Sequence, residues 1–222
     1  MRKFVLLFVV MLVLALGTSN VLAESVTDEK KAVLVEDGST RVVTHEELDE
    51  LYPKEVELDE NSVTKVDKKD SISPKSITFY EYVEESATED IDYSKSEHVT
   101  PWIDGSKDGA TVSYGQSKTF SSSFDIGLSS SQINVILGEL GVSYKETTSN
   151  DESFGTTFNI SSGDVARVRF APMVRESEGK IQTWRQLEGQ ANPRLRSEEA
   201  ASASVLKEVG NFADGIYYLE YK

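Results

Sequence analysis

The chain has only two histidines, His45 and His98, and no cysteine. His98 lies close in sequence to Asp92, Glu97 and Asp104, and serine is abundant. A secreted hydrolase with His98 as general base is therefore one reading, because a Ser–His–Asp constellation is defined by geometry and not by order along the chain. The sequence lacks the G-x-S-x-G elbow that presents such a serine on a sharp turn. It also lacks a Gly-rich phosphate cradle and an H-E-x-x-H zinc motif. Carboxylates adjoin at Glu84 and Glu85, and again at Glu89, Asp90 and Asp92. A glycosidase needs one acid in an apolar pocket facing another, whereas EESATEDIDYS has the composition of a solvated acidic loop. Glu89, Asp90 and Asp92 offer the oxygens that calcium prefers, without the spacing of a calcium-binding helix-loop-helix. We therefore expect no enzymatic activity, no bound metal and no cofactor.

The aromatic and basic residues carry more information. Trp102, Trp184, Arg167, Arg169 and Arg185 are the candidate binding residues. Aromatic rings supply contact area, and arginines supply charge with directional donors. The bland reading of the same rings is core packing. Residues 165–196 hold seven bases against three acids, and residues 81–108 hold nine acids against two bases. Faces of such opposite charge complement each other within the molecule or between subunits. A patch for an anionic surface polymer is the sharper alternative.

These residues must be held by β structure. SITFYEYVEES, from Ser76, has the β-branched and aromatic content of a strand. Val112, Tyr114, Phe120, Phe124, Ile126 and Leu128 fall on even positions with Ser and Thr between them, the period of a strand buried on one face. Ile133, Ile136, Leu137 and Leu140 are spaced as one face of a helix. Ser130 or Ser131 suits its start and Gly141 its end. A strand using Ile133, Val135 and Leu137 is the alternative. Further strands are expected around Phe158, Val168, Ile181 and Tyr218, with a long connection that is helical around Ala200 to Val209. The expected fold is mainly β: an antiparallel sheet or β-sandwich, elongated, with one or two short helices and a polar N-terminal arm.

The beginning of the chain reads as an export signal. Arg2 and Lys3 precede an apolar run from Phe4 to Leu16, and Val21 and Ala23 fit a cleavage site. We thus expect residues 1–23 to be a signal peptide, residues 24–76 to be an acidic arm or linker, and residues 77–222 to be the β-rich domain. The arm holds 15 acids against 8 bases. Within it, THEELDELYP predicts a short helix over 45–52, with Thr44 and Glu47 in a capping box and Pro53 as the stop. The formal net charge is −15 before any processing. Such a charge disfavours nucleic acid, whose binding rests on Lys and Arg at phosphates.

The stretch from 110 to 185 resembles the core of aerolysin-like toxins of the epsilon-toxin and mosquitocidal branch. The residues that carry the likeness are the Ser/Thr-rich QSKTFSSSFDIGL and SYKETTSNDESFGTTFNI, followed by Ile160, Gly163, Val168 and Pro172. The resemblance implies long strands flanking a segment, here 119–148, that forms a membrane hairpin. The expected function is that of a secreted, extracellular, non-enzymatic protein binding a cell-surface or envelope component. A small pore-forming protein is the alternative, and a membrane is a partner only in that case.

Overall fold

The computed structural model describes residues 25–26, 31–58, 65–68, 76–106, 109–112, 118–141, 143–149, 157–209 and 212–222. In chain order the first strands are β1 (Ser25–Val26), β2 (Lys31–Glu36) and β3 (Ser39–Thr44). Helix α1 (His45–Leu51) follows, then β4 (Lys54–Glu55), β5 (Lys65–Lys68) and β6 (Ser76–Ile91). Short strands come next: β7 (Glu97–His98), β8 (Ile103–Asp104), β9 (Ala110–Val112), β10 (Thr119–Ser121) and β11 (Ser123–Phe124). Helix α2 (Ser130–Leu140) precedes β12 (Tyr144–Lys145), β13 (Thr147–Ser149) and β14 (Thr157–Ile160). The chain closes with β15 (Val165–Leu187), β16 (Arg194–Val209), β17 (Phe212–Ala213) and β18 (Gly215–Tyr221). The fold is mainly β with two short α-helices, as the periodicities predict.

β15 is the spine of a curled 13-stranded sheet. Its first half pairs with β18, from Ala166↔Tyr221 to Pro172↔Gly215, and with β7 and β8 on the other edge. Its second half pairs with β16, from Val174↔Leu206 to Arg185↔Arg194, and with β6, from Met173↔Ile91 to Leu187↔Ser76. Both neighbours are exchanged at Pro172 and Met173. A proline has no N–H for a ladder and is found where pairing is interrupted; here it stands at the switch. Residues Phe170 to Val174 are all buried, because both faces of the spine are covered where its halves meet.

Three apolar clusters follow from this layout. Val168 and Phe170 of the spine pack with Val112, Phe120, Phe158 and Ile160 from the short strands. Ala171 and Met173 pack with Leu34, Val43 and Leu48. Tyr82, Ile181, Ala201, Ala203 and Val205 carry Val135, Ile136 and Leu140 of α2. Within the stretch read as an arm, residues 31–55 are docked. Ala32, Val33, Leu34 and Val35 are buried in β2, which lies between β18 and β3. α1 has the expected capping box, with Thr44 and Glu47 bonding each other's backbone N–H groups.

Two expectations are corrected. Ala200 to Val209 is strand, not helix. Ala201, Ala203 and Val205 turn inward beneath α2, and small side chains fit that narrow space, so strand pairing overrides the helix propensity of alanine. The SSGD stretch at Ser161–Asp164, whose composition reads as a hairpin turn between two strands, does not join a hairpin: β14 pairs with β1 and β9, and β15 belongs to the 13-stranded sheet. The expected signal peptide, and Tyr114 with residues 113–117, lie outside the described residues.

Two glycines separate packing from propensity. A Cβ on Gly179 would collide with the Val83 carbonyl oxygen and the Tyr82 ring. Gly138 is an exposed residue inside α2. Gly179→Ala is expected to destabilise the fold by about 3 kcal/mol and Gly138→Ala to stabilise it by about 0.5–1 kcal/mol, both read as shifts of the urea midpoint.

Candidate functional site

The five candidate binding residues do not form one face. Trp102, Arg167 and Arg169 come together at the first half of the spine. The Arg167 guanidinium lies over the Trp102 ring, 4.4 Å from its centroid. Arg167 and Arg169 both bond Glu220, and Arg169 also donates to the Ser96 carbonyl oxygen at 2.6 Å. The Arg167 hydrogen bond holds Glu220 below the usual carboxylate range. Trp184 and Arg185 sit at the other end of the spine, ~55 Å along the strand at about 3.3 Å per residue. There Trp184 stacks on Phe79, centroids 6.5 Å apart, while Arg185 donates to the Ser76 hydroxyl.

The catalytic and metal readings find no assembled site among the described residues. His98 is exposed on β7 opposite Arg169. Asp92 accepts the N–H groups of Ser94 and Lys95, and Asp104 accepts that of Ser106. Glu89, Asp90 and Asp92 do not converge. Glu89 is buried and bonded to Tyr144, Asp90 accepts the N–H of Ile91, and Asp92 caps a short 3-10 turn.

The most built part of the molecule is instead the segment 119–148 and what lies under it. Its ends are zipped as an antiparallel pair, with Thr119↔Ser149, Phe120↔Thr148 and Ser121↔Thr147. The Ser122 N–H donates to the Glu146 carbonyl oxygen at 2.8 Å, one step further on. The two arms then separate and lie end to end along one edge of β16. β11 pairs with Ser204 and Ala203, and β12 pairs with Lys207 and Leu206. Asp125 fixes the first arm by accepting from the Ser202 N–H and hydroxyl, at 2.6 and 2.8 Å. Between the arms, α2 covers the face made by Tyr82, Ile181 and Val205. At the tip of the first arm Ile126 projects wholly into solvent.

Beneath the second arm runs a chain of buried polar groups. Tyr82 and Ser177 share a hydroxyl–hydroxyl bond of 2.8 Å, and Ser177 donates to Glu84 at 2.6 Å. Arg175 grips Glu84 with two donors, Nε at 3.1 Å and Nη2 at 2.5 Å. Its guanidinium also lies 5.3 Å from the centroid of the Tyr144 ring. The Tyr144 hydroxyl donates to Glu89 at 2.6 Å, and Lys207 reaches Glu89 at 3.4 Å. A cleft of about 420 Å³, lined by Lys54, Glu55, Val56, Glu57, Glu89 and Lys207, opens beside this end.

Burial pushes the Tyr82 hydroxyl up to about 12. Burial and the bond to Glu89 raise Tyr144. Burial opposes the charge of Arg175, but Glu84 and Tyr144 outweigh it and the guanidinium is held more firmly protonated. Lys207 is likewise raised, because Glu89, Asp37 and Asp214 outweigh its desolvation.

A bulge brings these acids together. β6 pairs Ser86 with Glu178 but Glu84 with Gly179, leaving Glu85 as the extra residue. An inserted residue reverses the alternation of a strand. Glu84 and Glu89, of opposite parity, thereby face the same side as Arg175 and Ser177. Neighbouring Glu85 turns outward to Lys180. Parts of the basic and acidic stretches do complement each other inside the molecule, through Arg175–Glu84 and Lys180–Glu85.

No protein-family model, curated protein or solved structure matches this chain.

Removing one member of a buried ion pair strands the other charge. Glu84→Gln is therefore expected to lower stability by about 3 kcal/mol, whereas Glu85→Gln, in an exposed pair, should leave the urea midpoint nearly unchanged.

Proposed function

We propose that this is an exported, non-enzymatic β-rich protein that acts at a cell surface by releasing residues 119–148 from the sheet and re-forming them as a membrane-entering β-hairpin. One observation carries the reading: the register of β10 with β13. Continued past Ser121↔Thr147, that register sets Phe124 opposite Tyr144, Ile126 opposite Val142 and Leu128 opposite Leu140. Directly opposed residues of an antiparallel pair project to the same face. The other face then carries Ser123 with Lys145, Asp125 with Ser143, Gly127 with Gly141 and Ser129 with Glu139. One side is apolar and the other polar over seven residues per strand, 123–129 and 139–145, with the alternation of a membrane-spanning strand, and Ser122 with Glu146 stands at the rim of the apolar side. The turn, near 132–136, is QINVI and largely apolar.

The folded chain keeps most of this apolar set out of water. Leu140 and Tyr144 are buried, and Phe124 and Leu128 are half-buried on the sheet. Among the described residues of this set Ile126 is the exception: it is fully exposed in the folded state, and the hairpin supplies a reason for it. The Trp102, Arg167 and Arg169 patch supports a second, compatible role as the contact to a cell-surface or envelope component. It gathers an aromatic ring and two guanidinium groups on one surface of an acidic protein.

Ile126→Lys and Ser123→Lys separate folding from insertion, since both positions are exposed in the folded protein. A lysine on the lipid face near the bilayer midplane costs about 2–4 kcal/mol, while a polar-face lysine is tolerated. The unaltered protein and Ser123→Lys are expected to release dye from liposomes and to give SDS-resistant oligomers, and Ile126→Lys to do neither. No release by the unaltered protein, or equal release by both variants, would defeat the reading. For the contact role, protein sedimenting with whole cells should be freed by salt, and Arg167→Ala should reduce the sedimented fraction.

A further inference from the structure

Asp214 lies between β17 and β18, completely buried, where several parts of the chain meet. Its N–H donates to the Lys207 carbonyl oxygen at 3.0 Å, and its carbonyl oxygen accepts from Met173 at 2.8 Å. Its Oδ2 accepts the N–H of Asp37, from the β2–β3 turn, at 3.2 Å. Its Oδ1 has no hydrogen-bond donor among the described residues. Lys207 is the neighbouring cation. Its Nζ lies 3.9 Å from Asp214, 3.5 Å from Asp37 and 3.4 Å from Glu89. Glu36 is the remaining charged group acting on Asp214. One ammonium thus serves three carboxylates, and one of them, Glu89, is the acceptor for the Tyr144 hydroxyl of the segment 119–148.

We propose that Asp214 and Lys207 form a proton-sensitive catch on this segment, holding it to the sheet in acid and loosening it toward neutral pH. The proposal concerns the regulation of the hairpin release described above and rests on that reading. An ionised carboxylate with one oxygen buried and unsatisfied is costly. Protonation removes that cost and also removes one competitor for Lys207, leaving its charge to Glu89 and Asp37. Glu89 is then better held in place to accept from Tyr144. Both effects favour the closed form in acid.

The titration range fits this direction. Burial pushes the Asp214 carboxyl up to about 6, with the Asp37 N–H and Lys207 opposing and Asp37 and Glu36 adding to the rise. The catch requires that release of the segment admits water to Asp214, whose carboxyl then returns toward the ordinary value of about 3.9, so between about pH 4 and 6 the closed form binds the proton more tightly. The stabilisation is complete below about pH 4 and is lost as pH rises through about 6.

Hydrogen exchange of the unaltered protein without any membrane tests this, with rates divided by the intrinsic rate at each pH. Protection of the α2 and β12 amides is expected to be about tenfold higher at about pH 5 than at about pH 7.5. Asp214→Asn, a permanently neutral isostere, should keep the acid level of protection at both pH values. Equal protection of the unaltered protein at both values, or an undiminished pH effect in Asp214→Asn, overturns the proposal. If Asp214→Asn does not fold, Lys207→Met cuts the link to Glu89 and should diminish the pH effect in α2 and β12, leaving only the part that comes from the buried carboxylate itself. An undiminished effect there would equally overturn the catch. Because no membrane is present, these results bear on the catch alone, whereas absence of dye release bears on the hairpin alone.

Discussion

A single strand of 23 residues has to satisfy its backbone on both edges from Val165 to Leu187. The strands beside it in the large sheet supply those partners. No cysteine is available to staple the chain, and a buried N–H or C=O without a partner is costly. The spine therefore takes β18, β7 and β8 along its first half and β16 and β6 along its second. The spine exchanges neighbours at Pro172, and the core correspondingly falls into three clusters, two drawing alternate residues of β2, β15 and β18 and the third lying on β6, β15 and β16 beneath α2.

The exchange creates a second constraint at the same place. Where neighbours change, strand ends and turns converge, and here they bring Asp37, Glu89, Lys207 and Asp214 together. Apolar side chains would bury there at lower cost, because taking charges out of water is rarely repaid in full by their attraction. A buried ion chain is often a way of specifying one arrangement over others. In this protein the chain ends on Tyr144, which ties the N-terminal hairpin and the segment over β16 to one set of charges. The segment is thus held by a few directional bonds, by the apolar face beneath α2 and by Phe120 in the first core cluster, while the spine is held by long ladders.

Much of the fold was legible from the residues. Period-two alternation marked β6, β14 and β18, and the Ile133–Leu140 spacing with its serine and glycine ends marked α2. Thr44 with Glu47 marked α1. β2 was hidden because the acidic average over 24–76 masks a short buried run, Ala32 to Val35. β16 was hidden because alanine and serine carry weak signals either way, and its strand state comes from pairing with β15. The buried ion chain was the least legible. Arg175, Ser177 and Gly179 face inward on the spine, where a hydrophobic pattern expects apolar residues, and plain alternation sets Glu84 and Glu89 on opposite faces, so that only the bulge at Glu85 brings them together. Of the candidate binding residues, Trp102, Arg167 and Arg169 lie together, but the sequence had no means of showing that one uninterrupted strand places Trp184 and Arg185 far from them.

The outer edge of β16 has a further consequence. From Ala203 onward it is covered in turn by β11 and β12. Between Arg194 and Ser202 no described strand pairs with it, and that stretch carries Arg194, Arg196, Glu198 and Glu199. Open strand edges template pairing with other chains, and charged side chains are a common guard. The charged half has that guard along its open edge, while the half from Ala203 onward is shielded by the arms lying on it. In the proposed release, departure of the arms lays that half bare as a rim onto which another strand can zip.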